Sequence, residues 1–179
     1  MKSLREMTVG EIAAYVAGHL RQNGVNVVLT GGSCVSIYTD NRYQSYDLDF
    51  IDEGGWGRKK IAAVLAELGF VEKDRYFIHP DTTYFVEFPA GPLAIGDEPV
   101  WAIAELEFGT GLLRLLSPTD CVKDRLAHYY HWKDRQCLDQ AVMVALDAEI
   151  DFAEIERWSR HEGMADEFHR IRALLTPPI

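Results

Sequence analysis

The chain has 179 residues, 47% hydrophobic and 26% charged, with a formal charge of −10 at pH 7. That length and balance suit one folded unit, or a compact unit with a helical extension, and exclude an extensively disordered chain. The acidic balance excludes a general nucleic-acid binder, because a phosphate backbone demands a basic surface; only a local basic groove stays open. No apolar run approaches the roughly 20 residues that span a bilayer. The opening MKSLREMTVGEIAAY lacks the apolar core and cleavage site of a secretion signal. The expectation is a cytoplasmic protein with no membrane partner. Cys34, Cys121 and Cys137 are widely spaced and odd in number. They read as reduced, packed thiols, neither a zinc site nor a disulfide framework.

In chain order, residues 8–22 predict a helix. Thr8 and Glu11 form a capping box, Ile12, Ala13, Val16 and Leu20 share a face, and Gly24 marks the stop. Val25 to Thr30 is a short apolar, β-branched run and reads as a buried strand. It ends in Gly31-Gly32-Ser33, where glycines let the backbone turn tightly and let a ligand approach. Ser33 is expected to cap a short helix through about Thr39, its free N–H groups facing any phosphate there. A second strand follows over Tyr46 to Ile51. Asp47 and Asp49 fall on one face of it, Leu48 and Phe50 on the other. Two neighbouring carboxylates repel and lower strand propensity, a cost that a divalent cation with hard oxygen ligands offsets.

Residues 57–68 predict a second amphipathic helix with Ile61, Val64, Leu65 and Leu68 inward. Arg58, Lys59 and Lys60 at its start oppose the helix dipole and read as surface charge or as contacts to an anionic substrate. Phe70 to Ile78 and Thr82 to Phe88 read as a hairpin turning at His79-Pro80-Asp81. Glu87 lies in its otherwise apolar second arm. Such a carboxylate costs free energy unless paired, metal-bound or facing water at an edge. After an irregular segment from Pro89, Trp101 to Phe108 and Leu112 to Leu116 read as one more hairpin, with Glu105 and Glu107 toward solvent. From Ser117 the pattern is helical. Ser117 caps, Pro118 takes the first helical position, and the helix reaches Tyr130 or Trp132. A second spans Asp134 to Leu146, a third is capped by Asp151 with Glu154, and a last runs from about Met164 to Leu175 before Pro177-Pro178. The boundary between the two halves falls near Leu116.

Gly31-Gly32-Ser33, a spacer, and Asp47-Leu48-Asp49-Phe50 together resemble the signature of the DNA polymerase beta-like nucleotidyltransferase superfamily. The resemblance implies an α+β fold: a nucleotidyltransferase-like mixed sheet with flanking helices over residues 1–116, followed by a C-terminal helical bundle over 117–179. It also implies a third acid on a later strand, and Glu87 matches that position. Ser117 to Gln140 resembles the helical segment of small bacterial nucleotidyltransferase-like proteins of the abortive-infection and toxin–antitoxin types. There a Lys-bearing helix is followed by a basic-Arg-acid stretch that opens the next helix; here these residues are Lys123, Arg125, Lys133, Asp134, Arg135 and Asp139, and the family's Arg-Asp step stands as Arg135-Gln136. The two resemblances cover most of residues 25–140.

The implied activity is Mg²⁺-dependent transfer of an NMP from an NTP, ATP first among them, to an acceptor hydroxyl. Asp47, Asp49 and Glu87 would be catalytic and hold Mg²⁺ or Mn²⁺. Gly31, Gly32, Ser33, Lys123, Arg125 and Arg135 would bind the nucleotide. The acceptor stays open among an RNA end, a protein hydroxyl and a small molecule such as an aminoglycoside. The alternative is a catalytically reduced protein of the same fold that binds nucleotide or a protein partner, as half of a toxin–antitoxin pair. A third reading is an unrelated α/β protein whose acids lie apart. His128 and His131 are one helical turn apart but lack a third ligand for zinc. Tyr129, Tyr130 and Trp132 read as core before they read as a base-stacking platform.

Overall fold

A computed structural model describes residues 2–176 of the chain; Pro177-Pro178, expected to follow the last helix, lie outside the described residues. Helix α1 (Val9–Gln22) opens on the expected capping box. Glu11 N–H donates to the Thr8 hydroxyl at 3.3 Å, and Thr8 N–H donates back to the Glu11 carboxylate at 2.8 Å. Next come β1 (Val27–Thr30), α2 (Gly31–Tyr38), β2 (Asp47–Asp52) and α3 (Arg58–Glu67). Then follow β3 (Val71–Lys73), β4 (Tyr76–Ile78), β5 (Phe85–Glu87), β6 (Ala94–Ile95), β7 (Glu98–Pro99), β8 (Ile103–Phe108) and β9 (Gly111–Leu116). The chain finishes with α4 (Pro118–Trp132), α5 (Arg135–Asp147), α6 (Phe152–His161), α7 (Ala165–Ile171) and a 3₁₀ turn over Arg172–Leu175. No helix among the described residues is long and apolar enough to cross a membrane.

Seven strands form one mixed sheet in the order β3-β4-β5-β2-β1-β9-β8. The β5–β2 and β1–β9 pairs are parallel and the other four antiparallel. Val27, Val28 and Leu29 are all buried, the pattern of a strand covered on both faces. On one face, Leu48, Phe50, Phe77 and Val86 join the core with Ile12, Leu20 and Leu65 from α1 and α3. The other face near β1, β2 and β9 meets α2 and α4. Around α4 and α6, Tyr130 stacks on fully buried Trp158 at 5.9 Å between ring centres. The Trp158 indole N–H donates to the Ile95 carbonyl at 3.3 Å, which ties α6 to β6. The mixed α+β architecture and its helical C-terminal stretch match the expected fold class.

Three local expectations are corrected. The arm Phe70 to Ile78 is not one strand but the hairpin of β3 and β4, in which Lys73 pairs with Tyr76 and Asp74 takes φ +56°. Aspartate tolerates that left-handed backbone, so no glycine marked the turn. The segment after Pro89 contains the two-stranded β6–β7 ribbon, too short for a period to show. Helix α2 begins at Gly31, with Thr30 as the flanking residue, so Ser33 lies inside the helix and does not cap it.

Candidate active site

The site is built where β1 hands over to α2 beside β2. Gly31 has φ +71°, and a Cβ placed on it would lie 2.5 Å from Asp49 Oδ2. Glycine is required there twice, by backbone conformation and by the space the carboxylate occupies. The first N–H groups of α2 therefore lie beside Asp49, and Thr30 gives them no side-chain cap. The Thr30 hydroxyl instead donates to the Asp49 carbonyl at 3.2 Å. An uncapped helix N-terminus favours an anion.

Ser33 is buried and its hydroxyl donates to the Asp47 carbonyl. That hydroxyl bond fixes β2 against α2. Ser36 does similar work from the next turn of α2. Its hydroxyl accepts from Ser45 N–H at 2.9 Å, drawing the loop back to the helix just before β2.

Asp47 and Asp49 project from one face of β2, and the parallel register sets Asp49 against Glu87 on β5. One oxygen from each of Asp47, Asp49 and Glu87 lies within 4.8 Å of the others. Asp47 Oδ1 is buried and has no hydrogen-bond partner among the described residues. Burial first, and then the Glu87 charge, raises the Asp47 pKa from its usual 3.8 to about 6, against the pull of Arg75. Burial, Asp47 and Glu87 raise Asp49 from 3.8 to about 7, and Arg125 opposes them. These are hard oxygen donors that repel one another and include an orphaned buried atom. The set fits a divalent cation, which would satisfy Asp47 Oδ1 and neutralise the repulsion.

No family model and no curated protein sequence matches the chain, but solved structures do. The crystal structure of an antigenic nucleotidyltransferase-like protein from Paracoccidioides brasiliensis aligns over 97% of this chain and 94% of that one, with a TM-score of 0.61 and 14% identity. The solution structure of the antibiotic-resistance factor ANT(2'')-Ia aligns over 92% of this chain and 97% of its own, with a TM-score of 0.53 and 14% identity. The same factor crystallised with adenylyl-2''-tobramycin gives a TM-score of 0.52 at 13% identity, covering 90% of this chain and 97% of that one. The chain has a nucleotidyltransferase-like fold.

Within this nucleotidyltransferase-like fold the three acids named from sequence meet, so the reading in which they lie apart fails. The basic residues separate. A cleft of about 380 Å³ is lined by Thr30, Gly31, Asp49, Asp124, Arg125 and His128, among others. Arg125 is held there by Asp124, at 3.1 Å from Nε, and by Gln140 at 3.3 Å. His128 lies one turn further along the same face of α4; burial, then Arg125, lowers its pKa. Lys123 is not in this cleft. It stands 3.1 Å from both Asp120 and Glu154 and lines a separate cavity of about 520 Å³. Residues two apart on a helix point roughly 200° away from each other, so Lys123 and Arg125 cannot share a face. Arg135 is exposed at the start of α5 and does not line the cleft. The structure thus brings Arg125 to the cleft beside Asp49 and places Lys123 and Arg135 outside it.

Among the other expectations, Arg58 pairs with Glu72 across the surface, and the Lys60 ammonium sits 3.4 Å from the Trp56 ring centre. Glu105 and Glu107 face solvent as read. Tyr129 and Tyr130 are core as read, but Trp132 is 71% exposed and lies against His128 at 5.2 Å between ring centres. His131 turns away from His128 to Glu162 at 3.2 Å. All three cysteines are buried free thiols.

Two residues that meet the site were missed. Asp124 is invisible to motif reading, although the helical spacing of Asp124, Arg125 and His128 was available as a signal. Arg75 lies 3.3 Å from Glu87. Misreading β3 and β4 as one strand hid the turn that presents it.

Proposed function

We propose that the chain is a nucleotidyltransferase that moves an NMP from an NTP to an acceptor hydroxyl and releases pyrophosphate. The observation that carries this reading is the buried Asp47 Oδ1, without a hydrogen-bond partner among the described residues, within a three-carboxylate cluster beside an uncapped helix N-terminus. Asp47, Asp49 and Glu87 would hold Mg²⁺, or Mn²⁺ in its place. Bound there, the cation supplies charge neutralisation for the phosphates and a lowered pKa for a coordinated hydroxyl.

The chain's own residues do the rest. The N–H groups of Gly31, Gly32 and Ser33 at the start of α2 hold phosphate oxygens, while Arg125, which lines the same cleft as Gly31, supplies positive charge. Glu87 orients the acceptor hydroxyl and draws off its proton. The acceptor oxygen forms a bond to the α-phosphorus, and the bond from that phosphorus to the pyrophosphate oxygen breaks in line. ATP is the first donor to test.

The cleft of about 380 Å³ and the charge of −10 support a small-molecule acceptor over a long RNA. Calorimetry of each NTP with and without Mg²⁺, followed by labelled-ATP transfer to candidate acceptors, tests the reading. Nucleotide binding with no transfer to an RNA end, a protein or a small molecule would favour the catalytically reduced alternative, including a toxin–antitoxin role.

A further inference from the structure

Arg75 sits at the tip of the β3–β4 hairpin, beside Asp74 with its φ of +56°. Its side chain is exposed, yet three contacts hold the guanidinium. Nε lies 3.3 Å from Glu87 Oε1, an Nη donates to the Tyr76 hydroxyl, and Cζ stands 4.8 Å from the Tyr76 ring centre. The strand register explains the meeting, because Tyr76 pairs with Glu87 across β4 and β5 and so shares its face. Among the described residues, Arg75 is the one cation within ion-pair distance of Glu87.

We propose that Arg75 is a latch on Glu87, which holds this carboxylate in the cation-free protein and has to release it when a divalent cation takes all three acids. The proposal rests on reading Asp47, Asp49 and Glu87 as a cation site. A cation among them would set two positive charges next to the guanidinium. Cation and arginine then compete for the same carboxylate, and Arg75 raises the cation concentration needed to fill the site. Tyr76 is a positioning residue in this device, since its hydroxyl and ring hold the guanidinium over Glu87.

The test is titration of the full chain with Mn²⁺ alone, without nucleotide, at low ionic strength, following free Mn²⁺ by electron paramagnetic resonance. Arg75 is on an exposed turn, so Arg75→Gln is expected to fold, which a melting curve verifies. Removing an exposed ion pair of this kind is expected to tighten Mn²⁺ binding about two- to five-fold. Tyr76→Phe keeps the ring and loses one tether, and is expected to tighten binding by a smaller factor. The gain in Arg75→Gln is expected to shrink as salt screens the competition. Equal or weaker binding in Arg75→Gln would overturn the latch while leaving the cation site standing. Failure of both wild type and Arg75→Gln to bind Mn²⁺ at millimolar concentration would overturn the cation site itself, and the latch with it.

Discussion

Asp47 and Asp49 hold a proton more tightly in the folded chain than the usual 3.8 allows, up to about 6 and about 7. Folding without a cation therefore takes up protons between about pH 4 and 7, and stability falls as pH rises through that window. Melting curves of the cation-free protein across the window check this, and Mg²⁺ added near neutral pH is expected to raise the midpoint again. Asp49→Asn removes the Asp49 share of the repulsion without the cation's help and leaves that between Asp47 and Glu87. It is expected to melt about 2–4 °C above wild type in chelator at pH 7.5, and to lose at least about 100-fold in transfer. Gly31→Ala meets both a φ of +71° and the Asp49 carboxylate. Its expected cost is about 1–3 kcal/mol by denaturant titration, with Asp49 displaced and cation affinity lowered.

At the scale of elements, the site is a matter of register. Glycine at the start of α2, the Ser33 hydroxyl on the Asp47 carbonyl and the Asp49–Glu87 pairing together align one helix and two strands. Ser33→Ala leaves that carbonyl with only the longer bond from the Ser45 hydroxyl at 3.4 Å. About 1–2 kcal/mol of stability is expected to go, together with some cation affinity, as chemical denaturation and Mn²⁺ titration would read. Much of this was legible beforehand. Period-2 alternation put Asp47 and Asp49 on one face, and the caps at Thr8, Ser117 and Asp151 located three helix starts. The β3–β4 turn was not legible, because Lys73-Asp74-Arg75 carries no glycine and the apolar residues on either side read through it. Ser33 failed as a cap for a related reason: the glycine with positive φ that turns the chain is already the first helical residue.

Across the whole molecule, α4 brings Asp124, Arg125 and His128 to the cleft that Asp49 also lines, and the charges of the C-terminal helices divide between structure and site. Sequence spacing showed a basic segment from Lys123 to Arg135. Only the packing of α4 against α6 decided that Lys123 meets Glu154 while Arg125 faces Asp49. Lys123→Ala leaves Asp120 and Glu154 without their shared ammonium and is expected to cost about 1–3 kcal/mol. Nucleotide affinity, measured on the folded variant, is expected to stay at the wild-type value. Arg125→Gln should instead weaken nucleotide binding.

In the proposed function, nucleotide binding depends on a cation held by the three acids. Calorimetric titration of ATP into wild type and Asp47→Asn, each with Mg²⁺ and with chelator, tests it most directly. Binding is expected to require Mg²⁺ in wild type and to be lost in Asp47→Asn despite an intact melting transition. ATP binding that is absent from wild type, or indifferent to both the metal and the substitution, would contradict it.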